Sequence, residues 1–297
     1  MRNEGLIGAL AVAAASVLWG TTGTAAALAP EVGAAAIGAC AMGTGGLLQA
    51  AVALKSLRRA RPALLAQWRL ALFGGLCVFI YPLAFYASMR CAGVTVGTVV
   101  SIGASPLMAA LVEIIVDRER VSGRWLAGAA LGIAGMVLLS AAPGVSSAGE
   151  DMVLGLLLSL VAALTYALYT WAAGRLMRRS VPSRAAMGAV FGIGGLLLMP
   201  VLAVTGGPFL ASVQNAAVGV YMALVPMLLG YLFFGYGLAR VRASTATAVS
   251  LLEPAVAALL AAAVLGERLS LLGWCGILLI FLSLAAVMTA SAKHRGA

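Results

Sequence analysis

The hydrophobic pattern of the chain consists of ten long apolar runs separated by short polar segments. Each run approaches or exceeds the roughly 20 apolar residues that a helix needs to cross the hydrocarbon core of a bilayer. The runs extend over residues 5–28, 32–54, 70–89, 91–112, 125–142, 152–174, 185–205, 213–239, 243–265 and 269–290. The alternating segments of a β-barrel are not seen, and helices satisfy their own backbone hydrogen bonds in lipid. The sequence therefore predicts an all-α membrane protein with ten transmembrane helices.

The composition supports this interpretation. Only 9% of the 297 residues are charged, and the mean hydropathy is +1.08, whereas a soluble protein carries about 25% charged residues. Such a chain has too few charges to cover a water-facing surface, and the ten runs leave no room for a separate soluble domain. The first run is too long for the core of a cleaved signal peptide, so we expect a retained helix.

The basic residues indicate the orientation. If the N-terminus is cytoplasmic, seventeen of the nineteen Lys and Arg residues lie at the cytoplasmic side, and only Arg90 and Arg268 lie outside. The opposite loops carry acidic residues, namely Glu31, Glu150, Asp151 and Glu267. The positive-inside rule thus predicts cytoplasmic N- and C-termini in an inner membrane. It also accounts for the net charge of +10 without a nucleic-acid partner.

The two halves of the chain resemble each other. A shift of 148 residues places the segment from Ser105-Pro106 to Gly128 on the segment from Glu253-Pro254 to Gly276, with nine of 24 positions identical. We expect two repeats, residues 1–146 and 147–297, of five helices each. Because five is odd, the second repeat is expected to be inverted, an arrangement that suits alternating access around a midplane site.

Three groups of residues carry a resemblance to a known family. They are Leu18-Trp19-Gly20 in the first run, the Pro106 and Glu119 block, and Glu253-Pro254 followed by residues 266–270, Gly-Glu-Arg-Leu-Ser. On these residues the chain resembles the EamA-type, ten-helix members of the drug/metabolite transporter superfamily. The first repeat departs from the pattern at Asp117-Arg118. The resemblance implies a secondary transporter, and amino acid exporters, including exporters of aromatic amino acids, are among the similar proteins.

Glu253 is the outstanding candidate for a functional residue. It lies near the middle of the ninth run, where a carboxylate is energetically unfavourable and is usually functional. It could carry a coupling proton or receive the ammonium group of a substrate. Alternatively, it could brace the helix at Pro254 through a backbone hydrogen bond. Glu113, near the cytoplasmic end of the fourth run, is expected to have a structural role, in which it extends to the membrane surface or pairs with Arg118 or Arg120.

Other residues of the same helices could complete a central cavity bounded by helices 1, 3, 4, 6, 8 and 9. Tyr and Trp could provide apolar walls with polar tips, and hydroxyl groups could bind a small ligand. With Glu253, the candidates for substrate binding are Trp19, Thr21, Tyr81, Ser101, Tyr166, Tyr231 and Ser250. Prolines that break helices and free carbonyl groups are the candidates for gating: Pro82, Pro106, Pro226 and Pro254. Trp125, Trp171 and Trp274 are expected at the membrane interface.

Other function classes are weakly supported. The only histidine is His294 in the tail, and we find no catalytic, metal-ligating or cofactor-binding motif. The sequence shows no recognisable selectivity filter of a channel. A purely structural role as a membrane scaffold remains an alternative. The absence of deep Lys or Arg disfavours a phosphorylated solute such as a nucleotide sugar, while drug cations and cofactors remain alternatives. We predict a secondary transporter, most consistent with export of zwitterionic or cationic metabolites, in which a single chain could suffice.

Overall fold

The computed structural model of the protein describes residues 2–141, 151–264 and 270–293. Within these ranges ten helical stretches are long and apolar enough to cross a membrane, which confirms the predicted fold class. Spans 3 to 7 are unbroken helices, and they are Trp68–Ala92, Val94–Val116, Gly123–Ser140, Met152–Arg178 and Ser183–Thr205. Span 10 is Leu271–Lys293.

The other four spans contain irregular turns. Span 1 combines Arg2–Gly20 with Thr22–Ala27, and span 9 combines Ala243–Val249 with Leu252–Val264. A π-helical segment interrupts span 2, which runs through Ala34–Gly38, Ala39–Thr44 and Gly45–Val52. Another π-helical segment interrupts span 8, which runs through Val213–Met222, Ala223–Leu229 and Gly230–Leu238. Such segments free backbone carbonyl groups and often mark functional positions in transmembrane helices.

Contacts between loops define the two faces of the bundle. Glu4 forms an ion pair with Arg240 (2.9 Å), and Gln67 accepts a hydrogen bond from Arg179. These contacts bring the N-terminus and three connecting segments together on one face, which we call the basic face. On the opposite face the backbone N–H of Asp151 donates to the carbonyl of Cys91 (2.9 Å). Span 10 runs antiparallel to span 5, so it also ends at the basic face.

Close packing of small residues holds the spans together. Span 6 packs against spans 3 and 4, span 10 against span 5, span 7 against span 2, and span 1 against span 8. At the contact of spans 5 and 10, a Cβ atom on Gly135 would lie 2.7 Å from the carbonyl oxygen of Gly276. The spans can therefore approach each other closely only because these positions lack side chains, as is common in membrane helix pairs.

The turn between spans 3 and 4 differs from the expected boundaries. Span 3 continues to Ala92 and span 4 begins only at Val94, so Arg90 lies in the last helical turn rather than in a loop. Gly93 adopts a φ of 87°, a conformation that glycine adopts readily. It reverses the chain within one residue. The predicted repeat boundary at residue 146 and the Glu267-Arg268 pair lie outside the described residues.

Candidate functional site

Nine aromatic rings form a connected cluster in the middle of the bundle. Neighbouring ring centroids lie between 4.2 Å (Phe191 and Tyr231) and 5.8 Å (Tyr81 and Tyr169) apart. The rings belong to Trp19, Tyr81, Phe85, Tyr86, Tyr166, Tyr169, Phe191, Tyr231 and Phe234. They come from spans 1, 3, 6, 7 and 8, so four of the predicted residues are joined here. Span 7 contributes Phe191, although it was not expected to line the site.

The π-helical segment of span 8 is anchored by side chains from spans 1 and 2. The indole Nε1–H of Trp19 donates to the carbonyl of Pro226 (2.9 Å). The amide of Gln49 donates to the carbonyl of Leu228 (2.7 Å). Pro226 thus lies in an irregular segment whose free carbonyl groups accept hydrogen bonds from other spans. Such bonds are needed because lipid offers no hydrogen-bond partners to the backbone. Gln49, which is buried, was not recognised from the sequence.

Two pairs of hydroxyl groups connect the aromatic rings to each other and to span 9. Tyr166 donates to the Oγ of Ser250 (2.9 Å), and Ser250 donates in turn to the carbonyl of Thr247 (2.8 Å). The hydroxyl groups of Tyr169 and Tyr231 lie 3.0 Å apart. These polar groups sit inside an otherwise apolar cluster, where hydrogen bonding makes their burial tolerable.

Glu253 lies beside this cluster, where span 9 resumes after its irregular turn at Ser250 and Leu251. Its carboxylate is within electrostatic range of the hydroxyl groups of four tyrosines, namely Tyr81, Tyr86, Tyr166 and Tyr231. Throughout the described part of the chain, it has no hydrogen-bond or ion-pair partner. The side chain is partly exposed, which leaves it accessible. Pro254 follows it in the first turn of the second helix.

The irregular turns of spans 1 and 9 meet at Gly20. A Cβ atom on Gly20 would lie 2.7 Å from the side chain of Val256 and 3.0 Å from the carbonyl oxygen of Glu253. Only glycine allows this contact, which places the turn of span 1 directly against the turn of span 9. Trp19 and Gly20 therefore make different contacts. The Trp19 side chain binds the backbone of span 8, and the missing side chain of Gly20 allows span 9 to pack closely against span 1.

The remaining candidates are not part of the cluster. At the turn of span 1, the Thr21 hydroxyl accepts a hydrogen bond from the hydroxyl of Tyr221 (2.8 Å). Ser101 is buried, and its hydroxyl has no partner among the described residues. Pro82 and Pro106 lie within helices that continue through them, so the expected breaks of spans 3 and 4 are not seen.

At the basic face, span 4 is tied to span 9 through Glu113. This carboxylate is only 1% exposed. It accepts hydrogen bonds from the backbone N–H (3.1 Å) and the Oγ (2.5 Å) of Ser244. The expected pairing with Arg118 or Arg120 is therefore wrong: Glu113 faces the bundle rather than the water, because span 4 continues to Val116. Just beyond it, Arg242 forms an ion pair with Glu119 (2.8 Å).

Span 4 is also tied to span 6 through Asp117. This carboxylate accepts hydrogen bonds from Trp171 (2.8 Å) and Arg178 (2.8 Å), and it also pairs with Arg175. Trp171 and Trp125 are 8% and 5% exposed, so both pack inside the protein, and their expected depth at the membrane interface stays a prediction. Trp274, which is 52% exposed, does lie on the surface. We call the contacts of Glu113, Asp117 and Glu119 the span 4 clasp.

A cavity of about 430 Å³ opens at the basic face below the clasp. Its walls include Glu119, Arg178, Arg242 and Ser244, and Glu253 is not among them. Because Ser244 is one of the wall residues, the Glu113–Ser244 contact borders this cavity. The structure thus has a buried aromatic cluster and, separate from it, a cavity at the basic face, where the residues of the clasp join span 4 to spans 6 and 9.

Comparisons with known proteins identify the family. The model of the EamA-like transporter family matches the chain twice, over residues 6–141 and 153–289. The uncharacterized transporter YwfM of Bacillus subtilis (strain 168) is 33% identical over 99% of this chain and 98% of its own. A probable terminal-alkyne amino-acid exporter of Streptantibioticus cattleyicolor is 29% identical over 56% of this chain and 54% of its own.

A solved crystal structure shares the fold, with a TM-score of 0.76 over 96% of this chain and 97% of that chain at 20% identity. The family model accounts for nearly the whole of this chain, including Trp19, Glu113 and Glu253. Together with the ten membrane-spanning helices, this match settles the assignment: the chain belongs to the EamA-like transporter family of the drug/metabolite transporter superfamily.

Proposed function

We propose that this protein exports amino acids, or related zwitterionic or cationic metabolites, across the inner membrane by alternating access. The observation that carries the proposal is Glu253. It is a carboxylate at the depth of the membrane, at the meeting point of two irregular turns, and without a partner in the described part of the chain. A charge at this depth of the membrane is tolerated only when it is paired or solvated. A cationic group of the substrate would supply the pair.

The surrounding groups suit a small zwitterion. Ammonium binding at Glu253 would leave the aromatic cluster to contact an apolar side chain, with tyrosine hydroxyls available for polar groups. The side chain of Glu253 makes no hydrogen bond to the backbone in the described residues. This favours a binding role over the bracing role that the sequence left open.

The charges around the aromatic cluster and Glu253 bear on which class of solute the protein could bind. Among the arginines on or beside the spans that form the site, Arg175 and Arg242 are engaged in the span 4 clasp, and Arg240 pairs with Glu4. A phosphorylated solute would usually need a cation in its site. The relative from Streptantibioticus cattleyicolor, a probable amino-acid exporter, points in the same direction.

Alternating access would require the span 4 clasp to open. In the arrangement described here, the first helix of span 9 packs against span 4, and its second helix packs against span 1. We propose that the basic face is cytoplasmic, that the clasp closes that side, and that the five-helix halves are inverted repeats that exchange conformations. A single chain is then sufficient, and the solute crosses without chemical conversion.

Counterflow in proteoliposomes tests this proposal. Vesicles would be loaded in turn with aromatic amino acids, aliphatic amino acids, organic cations and a nucleotide sugar, and uptake of the labelled compound would be followed. We expect accumulation for amine-bearing compounds above that of protein-free vesicles. Accumulation of the nucleotide sugar alone, or of none of these compounds by a monodisperse protein, would contradict the proposed substrate class.

A further inference from the structure

A short basic segment connects spans 2 and 3 on the basic face. It contains two six-residue helices, Leu54–Arg59 and Arg61–Ala66, and we call residues 53–69 the basic segment. One side of it is anchored to the protein. Ala53 and Ala60 are 3% and 7% exposed, and Leu57 and Leu64 pack against the hydrophobic core. The segment is therefore held in a defined orientation rather than extending freely from the bundle.

The other side of the basic segment carries unneutralised charge. Its exposed cations are Lys55, Arg58, Arg59, Arg61 and Arg69. The segment contains no Asp or Glu, and none of the five cations forms an ion pair with a described residue. On the same face, Arg175, Arg178, Arg240 and Arg242 all have carboxylate partners. These four arginines are thus paired within the bundle, whereas the five cations of the basic segment have no counter-charge among the described residues.

Large apolar side chains are exposed among these cations. Leu54, Leu65 and Trp68 are 48%, 59% and 54% exposed, and the guanidinium group of Arg69 lies 5.5 Å from the Trp68 ring centre. Helices with this combination lie in the plane of the membrane interface, with apolar side chains in the acyl boundary and basic ones among the head groups. The ends of spans 2 and 3 place the segment at that level.

We propose that the basic segment is a binding site for the head groups of anionic phospholipids. The ligand chemistry is a phosphodiester attached to acyl chains. The cations supply the attraction to the phosphate, and the exposed leucines and tryptophan supply the contact with the chains. Basic clusters next to a transmembrane helix bind anionic lipid through such additive electrostatic attraction. The site does not depend on the solute that the protein transports.

Native mass spectrometry of the full chain tests this site. The purified protein would be incubated with an equimolar mixture of phosphatidylglycerol and phosphatidylcholine that differ in mass, and the retained lipids would be counted. We expect the wild type to retain phosphatidylglycerol in clear preference. The variant K55Q/R58Q/R59Q/R61Q should lower this preference at least about tenfold, because four attractive charges are lost.

A matched variant controls for the general loss of positive charge. R118Q/R120Q/R124Q/R184Q also removes four exposed arginines of the basic face, but it leaves the basic segment intact, and it should keep the preference. Equal loss in both variants, or no preference in the wild type, would overturn the proposal. Competition by 20 mM inorganic phosphate as strong as that by phosphatidylglycerol would also overturn it, because the site would then recognise a soluble anion. Equal elution profiles of all three proteins show that they are folded.

Discussion

Removal of the Ser244 hydroxyl should loosen the span 4 clasp. Ser244 is 3% exposed, and its Oγ lies 2.5 Å from a carboxylate oxygen of Glu113, which is itself 1% exposed. A hydrogen bond to a charged group contributes about 1.5–3 kcal/mol, and solvent screening is small at this burial. If the contact exists only when the basic face is closed, Ser244→Ala should raise the ratio of open to closed protein about 10- to 150-fold. The backbone N–H of Ser244 keeps its own bond to Glu113.

A buried reporter cysteine can measure this shift. Thr247 is 0% exposed and lies one helical turn deeper than Ser244. Thr247→Cys, in a chain whose native cysteines are replaced, would be labelled with a membrane-impermeant maleimide from the basic face. The native cysteines are Cys40, Cys77, Cys91 and Cys275. When opening is fast, the labelling rate follows the open fraction, so it should rise by the same factor in Ser244→Ala.

The matched control is a serine outside the clasp. Ser283 is 1% exposed, and its Oγ donates to the carbonyl of Gly128 (2.6 Å) between spans 10 and 5. Ser283→Ala also removes a buried hydroxyl and its hydrogen bond, here to a neutral carbonyl, yet it should leave labelling of the reporter cysteine unchanged. An unchanged rate in Ser244→Ala, or an equal increase in both variants, would refute the role of the Glu113–Ser244 contact as part of a gate.

Two further variants test the packing of the site. Gly46→Ala should destabilise the protein by about 1–3 kcal/mol through overpacking, because the new Cβ would lie against the backbone carbonyl oxygen of Phe191. Gly23→Ala is the control, because its new Cβ meets no atom within 4 Å and should be tolerated. Thermal unfolding of the two variants measures the difference in stability. Trp19→Phe keeps a ring in the cluster but leaves the carbonyl of Pro226 without its 2.9 Å donor, so the thermal midpoint should fall by a few degrees; an unchanged midpoint would show that this bond does not stabilise span 8.

Hydropathy was sufficient to predict the fold, because bilayer thickness constrains helix length strongly. It also identified Glu253, because a carboxylate near the middle of a long apolar run is expected at the centre of the membrane, where a charge is unfavourable. Trp19, Tyr166, Tyr231 and Ser250 were recognised for similar reasons, as polar tips among apolar residues. The structure places them in or beside one aromatic cluster, whose role in binding stays a prediction.

Depth does not reveal which way a side chain faces, and the wrong pairing predicted for Glu113 has this cause. Glu113 and Trp171 lie near helix ends and were expected to face water or head groups. Their partners, Ser244 and Asp117, are 131 and 54 residues away in the chain. Gln49 was missed because its hydrogen-bond partners are carbonyl groups of the π-helical segment in span 8. The local sequence around Gln49 gives no sign of this segment. Contacts of this kind depend on how the spans pack, and the hydrophobic pattern does not specify that.

The most direct test of the central claim compares transport by wild type, Glu253→Gln and Glu253→Leu. The glutamine keeps the shape of the side chain and removes only its charge, so Glu253→Gln should remain folded with a nearly unchanged thermal midpoint. If Glu253 binds the ammonium group of the substrate, counterflow of an amine-bearing solute should fall more than tenfold, since a charge-assisted contact is lost. Normal counterflow by Glu253→Gln, together with a loss of stability only in Glu253→Leu, would contradict the account and leave Glu253 as a structural brace.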